Sequence, residues 1–247
     1  MTVGGEQVEG RQPVRELLRA GRRRVHHITV SDSSGESGPL GEIMDLAGAA
    51  GVPLRRTDRA QLAHLAVTDA PQGIVARADP LPETPLETLA RAPTPFLVVL
   101  DGVTDPHNLG AVMRSALSAG ATGLVIGRHR SAHLTPAALK AAAGAAEYLP
   151  VAVVPGVPAA LAALSGAGVW TVAVDTAAPA SLWDLAVATE PIALVFGAEG
   201  RGLARLVRQR CELAVTIPLR GPLDSLNVAA AATLACFEVA RIRSSTP

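Results

Sequence analysis

Residues 96–116 read FLVVLDGVTDPHNLGAVMRSA, and this stretch decides the class of fold. Its first five residues form an uninterrupted apolar run, the mark of a strand buried on both faces of a parallel sheet. From Asn108 onward, Leu109, Val112, Met113 and Ala116 recur at helical spacing, so a helix is expected over 108–119. Further buried-strand runs stand at 124–126, 151–154, 170–174 and 192–196, with helices expected at 136–143 and 158–164. A last long helix, expected over 225–242, carries a small-residue face from Ala229 to Ala232 and Ala235. Together these elements predict a doubly wound α/β domain over 96–247. Ligands of such sheets bind outside the carboxyl ends of the strands, where strand order reverses.

Upstream, residues 79–95 read DPLPETPLETLARAPTP, whose five prolines predict a linker. Before it, a helix at 13–20, a strand at 25–30, a helix at 40–50, a strand at 52–54, a helix at 59–65 and a strand at 73–78 alternate. This alternation predicts a small α/β domain over 1–78. Residues 31–38, SDSSGESG, read as a polar loop.

Composition narrows the function classes. Of 247 residues, 49% are apolar and 18% charged, which argues against a disordered chain. No apolar run approaches the roughly 18 residues of a membrane helix, and residues 1–10 are too polar for a signal peptide. Cys211 and Cys236 are too few for a disulfide framework, and no Cys-x-x-Cys pair suggests redox chemistry; both read as core thiols. A cytosolic protein is the expectation.

The net charge is zero, so a nucleic-acid partner must be argued from local charge. Every basic residue except Lys140 is an arginine, and Arg11, Arg15, Arg19, Arg22, Arg23 and Arg24 cluster near the N-terminus. Arginine forks match phosphate bidentately. The cluster fits contact with RNA, and it also fits a solvated helix face. Arg128, Arg130 and His133 form a second candidate set. His129 and His133 are four apart but lack a third ligand, so no metal is expected. Trp170 and Trp183 read as packing residues, because aromatics total only 2% and cannot carry RNA binding by stacking.

Three loops carry the polar chemistry. The first, 101–116, offers Asp105 or His107 as helix cap and sets Asn108 and Arg114 beside one cleft. The second, FGAEGRGLARL at 196–206, runs a strand into a glycine-rich turn with Glu199. Its G-x-x-G-x-G order is not the dinucleotide G-x-G-x-x-G, which disfavours a dehydrogenase. The third, IPLRGPLDSLNVAAAA at 217–232, delivers Ser225 and Asn227 to the start of the final helix. Each loop alone can be read as ordinary caps and turns.

The ordered set NLGAVMRSA, FGAEGRGL and IPLRGPLDSLNVAAAA resembles the SpoU (TrmH-type) branch of the SPOUT RNA methyltransferases, across nearly all of 96–241. The stretch RHRSAHLTPAALKAAAGAAEYLPV at 128–151 is similar to the subgroup that 2′-O-methylates a guanosine of bacterial 23S ribosomal RNA. The front domain is similar to that subgroup's ribosomal-protein-like RNA-binding domain, with Pro71 before Gln72-Gly73 where His is common. The resemblance implies a homodimer with a deep trefoil knot and a mostly parallel sheet.

It also implies S-adenosylmethionine as cofactor, its adenosyl part resting on Gly197, Ile217 and Leu226 with Phe196 and Pro218 alongside. Arg114 is implied as the essential catalytic residue, surrounded by Asn108, Glu199, Ser225 and Asn227. A guanidinium rarely gives up its proton. Arg114 is therefore expected to clamp an RNA phosphate and steady the developing alkoxide, while phosphate or water takes the proton. Alternative substrates are tRNA or an rRNA site linked to antibiotic resistance. A rival of another class is an RNA-binding assembly factor without turnover.

Overall fold

The computed structural model describes residues 3–32 and 38–245. The polar loop expected at 31–38 falls largely outside them. The front unit runs β1 (Gln7–Glu9), α1 (Arg11–Ala20), β2 (Val25–Ser31), α2 (Pro39–Ala49), β3 (Leu54–Thr57), α3 (Arg59–Leu65) and β4 (Ile74–Ala78). Its four strands lie in the order β1-β4-β2-β3, with β4 antiparallel to both neighbours and β2 parallel to β3. Val14 and Leu17 of α1 and Leu40 and Ile43 of α2 are buried in the core of this unit.

Two strands depart from expectation. β1 was not anticipated, because QVE has no apolar alternation; Gln7 and Glu9 are buried polar residues. β3 begins at Leu54 rather than 52. Pro53 has no N–H to give a ladder, and the exposed LRRT segment pairs as an edge strand whose outward side chains need not be apolar.

The proline-rich stretch 79–95 is more than a spacer. Leu81 and Leu89 are buried, Thr84 N donates to Val151 O at 2.8 Å, and the segment holds α4 (Leu86–Ala90). Beyond it follow β5 (Phe96–Asp101), α5 (Pro106–Ser118), β6 (Gly123–Gly127), α6 (Pro136–Ala142), β7 (Val151–Val154), α7 (Val157–Gly166), β8 (Trp170–Val174), β9 (Ala180–Ser181), β10 (Ile192–Gly197), α8 (Arg205–Arg210), β11 (Leu213–Thr216) and α9 (Val228–Ser245). All pairings in this seven-stranded sheet are parallel, in the order β7-β6-β5-β10-β8-β11-β9. β10 therefore enters between β5 and β8, out of chain order.

Both faces of the central strands are covered, as their unbroken apolar runs require. Phe96, Val98 and Leu100 join the core with α5, α6 and α9, while Leu97 and Val99 join a second core with α4 and α7. α5 starts at Pro106, two residues before the expected position, because Asp105 caps it: its Oδ1 accepts from His107 N at 2.9 Å. Gly110 lets α6 approach closely, since a Cβ there would stand 2.3 Å from Ala138 O.

Trp170 and Trp183, expected to pack, are 39% and 45% exposed. Trp170 is the first residue of β8, at the strand's amino end, and in the single turn at 182–184 Leu182 takes the buried place instead. No helix of the described residues is long and apolar enough to cross a membrane.

The front unit is docked on the region 134–148. Arg23 and Glu147 form an ion pair at 2.6 Å with both side chains 2% exposed. Arg23 Nη1 also donates to Gly5 O and Asp79 O, each at 2.6 Å. Lys140 Nζ donates to Ala70 O at 2.6 Å, and Tyr148 OH to Glu16 Oε2 at 2.9 Å. This corrects the expectation that Arg23 meets RNA: its guanidinium is consumed inside the protein. Burying one charge is tolerable only when paired and hydrogen-bonded, as here.

Candidate active site

The three polar loops leave the carboxyl ends of β5, β10 and β11, and the strand order brings those ends together. Asn108, buried in the first turn of α5, donates from Nδ2 to Glu199 Oε1 at 3.2 Å. Asn227 Nδ2 donates to Asn108 Oδ1 at 3.0 Å and also to Glu199 Oε1. A closed triangle of two amides and one carboxylate thus joins all three loops. Asn227 does a second job as the cap of α9, its Oδ1 accepting from Ala229 N at 2.8 Å. That cap sets the start of α9 at Val228 rather than at the expected 225.

Beside the triangle lies a cavity of about 480 Å³. Phe196, Gly197, Ile217 and Leu226 line it, as do Glu199, Ser225 and Asn227. Pro218 is not in its wall; Ile217 and Leu219, on either side, face the cavity. Arg114 is also outside it. Six residues beyond Asn108 on one helix is about 600° of rotation, and the side chain emerges exposed, with no hydrogen bond or ion pair among the described residues.

Gly197 has a structural reason beyond any ligand. A Cβ there would sit 2.1 Å from Gly202 C and 2.3 Å from Leu203 N, so the returning glycine-rich turn itself demands glycine. Gly202 N donates back to Ala198 O at 2.8 Å, and Asp101 Oδ2 accepts from Ala204 N at 2.8 Å. These bonds hold the second loop against the first.

Sequence reasoning missed Val174, Asp175 and Thr176, which carry the carboxyl end of β8 into the cavity wall. Asp175 accepts from Ala177 N at 2.9 Å and faces Arg208 Nε at 3.4 Å. No motif marks them; the available signal was that β8 is a buried strand whose carboxyl end must open on the same side.

The remaining arginines are dispersed. Arg11 N and Nε bond Gln72 Oε1 and O at 2.9 and 3.3 Å, and Arg22 Nη1 donates to Glu147 O at 2.9 Å. Arg24 and Arg130 are exposed and Arg128 is half-buried. Burial pushes the Cys211 and Cys236 thiols up to about 12, with Asp101 and Glu212 adding to the effect at Cys211.

Residues 95–237 match the SpoU rRNA Methylase family, and residues 7–84 match the family described as RNA 2′-O ribose methyltransferase substrate binding. The chain is 38% identical to the 23S rRNA (guanosine-2′-O-)-methyltransferase RlmB of Pseudomonas putida, covering 96% of this chain and 97% of that one. Among solved structures it resembles an RNA 2′-O ribose methyltransferase, at TM-score 0.82 and 28% identity over 96% of this chain and 88% of the other. The SpoU methyltransferase AviRb of Streptomyces viridochromogenes in complex with AdoMet superposes at TM-score 0.80 and 25% identity, over 97% and 90% of the two chains.

Proposed function

The chain belongs to the SpoU rRNA methylase family, and from this premise we propose that it transfers the methyl group of S-adenosylmethionine to a ribose 2′-hydroxyl of RNA, with a guanosine of 23S ribosomal RNA as target. The observation that carries this reading is the chemistry of the cavity. Asp175 and Glu199 line it, and among the described residues no lysine, arginine or histidine does. Such a wall rejects phosphate and suits a ligand bearing sulfonium and ammonium cations. Apolar Phe196, Ile217, Leu219 and Leu226 suit an adenine ring, and the volume lies within the usual range for small-molecule sites.

When bound, S-adenosylmethionine supplies an activated methyl carbon. Main chain at Gly197, Ile217 and Leu226 would hold its adenosyl part. Asn108, Glu199 and Asn227 keep the rim rigid, and Ser225 presents a hydroxyl at the same rim. Arg114 is left free for the substrate: it would clamp an RNA phosphate and steady the oxygen losing its proton, with phosphate or water accepting it.

A homodimer belongs to this reading. Leu234 and Phe237 on α9 are 41% and 47% exposed, an apolar stripe next to α5, and a second copy would cover it and bring an Arg114 toward the cavity. Support for the trefoil knot is the entry of β10 between β5 and β8 and the return of α9 onto α5. In this reading residues 1–78 recruit RNA, 79–95 connect, 96–247 catalyse, and the work takes place in the cytoplasm.

The test is incubation of the purified protein with tritiated cofactor and unmodified ribosomal RNA or tRNA, followed by nucleoside analysis. Label in 2′-O-methylguanosine of the 23S RNA is expected. Label confined to tRNA would overturn the substrate. Calorimetric cofactor binding without label in either RNA would favour a non-catalytic assembly factor.

A further inference from the structure

The sheet of the front unit has two unlike faces. One is apolar: Val8, Ile28, Val30, Ile74 and Ala76 are buried with α1 and α2. On the other, β-register sets His27 directly across from Arg77 and places Arg55 beside Thr29, one step along. α3 and the loop after it close over part of this second face, where Gln7, Glu9, Thr29 and Ser31 are buried. Arg55 and Arg77 stay exposed at the open part and make no hydrogen bond or ion pair among the described residues.

The acids nearby do not neutralise them. Glu9 shares their face but is saturated by Gln7 Nε2 at 2.6 Å, Val67 N at 2.7 Å and Thr68 N at 3.0 Å. Asp79 faces His26 at 2.9 Å. Burial, and after it the positive charges of Arg55, Arg77 and His26, hold the His27 imidazole below its ordinary value.

Resting on the RNA-methylation reading above, we propose that His27, Arg55 and Arg77 form a docking surface for the phosphate backbone of the RNA substrate. Arg55 and Arg77 flank β2 on β3 and β4, two strand spacings or roughly 10 Å apart across the sheet, so their guanidinium forks can engage separate phosphates of one backbone. Residues 1–95 contain no Phe, Trp or Tyr. The face therefore has no platform for base stacking and no aromatic anchor of the kind protein interfaces favour, which leaves charge as the recognition element.

The experiment measures equilibrium binding of the full chain to unmodified 23S rRNA across a salt series, for wild type, Arg55→Ala, Arg77→Ala and the double variant. Each alanine should lower the slope of log affinity against log salt by about 1. The double variant should bind at least about tenfold more weakly at low salt, while Arg55→Lys and Arg77→Lys keep the slope. Cofactor affinity by calorimetry should not change, and the thermal midpoint should hold. Wild type that binds no RNA would sink the functional reading itself. Wild type that binds RNA, with the double variant unchanged in slope, would overturn this proposal alone. Binding of an acidic peptide in place of RNA, lost in the double variant, would overturn it in favour of a protein partner.

Discussion

Asn227 and Asn108 stand 119 residues apart in the chain, yet Asn227 Nδ2 donates to Asn108 Oδ1 at 3.0 Å. The same Nδ2 reaches Glu199, so one amide joins the start of α5, the start of α9 and the glycine-rich turn. The Asn227→Asp variant keeps the helix cap but sets a second carboxylate against Glu199. It should fold with reduced stability, lose at least about tenfold in turnover, and recover stability as pH falls and one carboxylate is protonated. Thermal melts at pH 5 and 8 check this; equal destabilisation at both would count against the contact.

Arg114 is exposed and outside the cavity, which separates its role from cofactor binding. Arg114→Lys should leave cofactor affinity unchanged while single-turnover methylation falls at least about tenfold, because the planar fork is lost although the charge remains. Near-normal single-turnover rates would refute the phosphate clamp.

The Arg23–Glu147 pair is a buried electrostatic tie between the front unit and the rest. Removing one partner leaves the other buried and uncompensated, at a cost of about 3–5 kcal/mol. Glu147→Gln should therefore lower the denaturation midpoint sharply, and the double change Arg23→Met with Glu147→Leu should be milder. Guanidinium unfolding of all three chains measures this.

Gly197→Ala should fail where Gly221→Ala succeeds. A Cβ at 197 meets main chain at 2.1 Å, whereas nothing lies within 4 Å at 221. The first variant should lose cofactor binding together with several degrees of thermal stability; calorimetry and melts on both give the comparison.

Both thiols sit well above the ordinary value of 9.0, at about 12. The folded chain keeps their protons where the unfolded chain has lost them. Their contribution to stability is complete below about pH 9 and declines as pH rises toward 12. Between these limits each thiol contributes a slope of up to about 1.4 kcal/mol per pH unit. Cys236→Ala should flatten the alkaline stability profile, and a profile parallel to wild type would contradict the burial argument.

Much of the fold was legible because burial leaves local marks. The run FLVVL at 96–100 is apolar throughout since β5 is covered on both faces, and Leu109, Val112, Met113 and Ala116 repeat every turn since α5 is covered on one. β1 left no such mark and β3 was expected two residues early, both being short, polar and at sheet edges. Of the site, Asn108, Glu199, Ser225 and Asn227 could be chosen from loop chemistry and from family resemblance, while Asp175 could not, since it sits after β8 without a motif.

The sequence by itself determined where the fully buried strands and the apolar-faced helices lie and which loops carry amides, carboxylates and glycines, because those properties depend on neighbours within a few residues; the short strands β1, β9 and β11 it did not mark. Only the tertiary structure decided that Arg23 is spent on Glu147 while Arg24 stays exposed, that Asp175 joins the cavity, and that Arg114 stands outside it. The physical reason is strand order. Once β10 lies between β5 and β8, loops more than a hundred residues apart share one edge of the sheet, and no periodicity along the chain records that encounter.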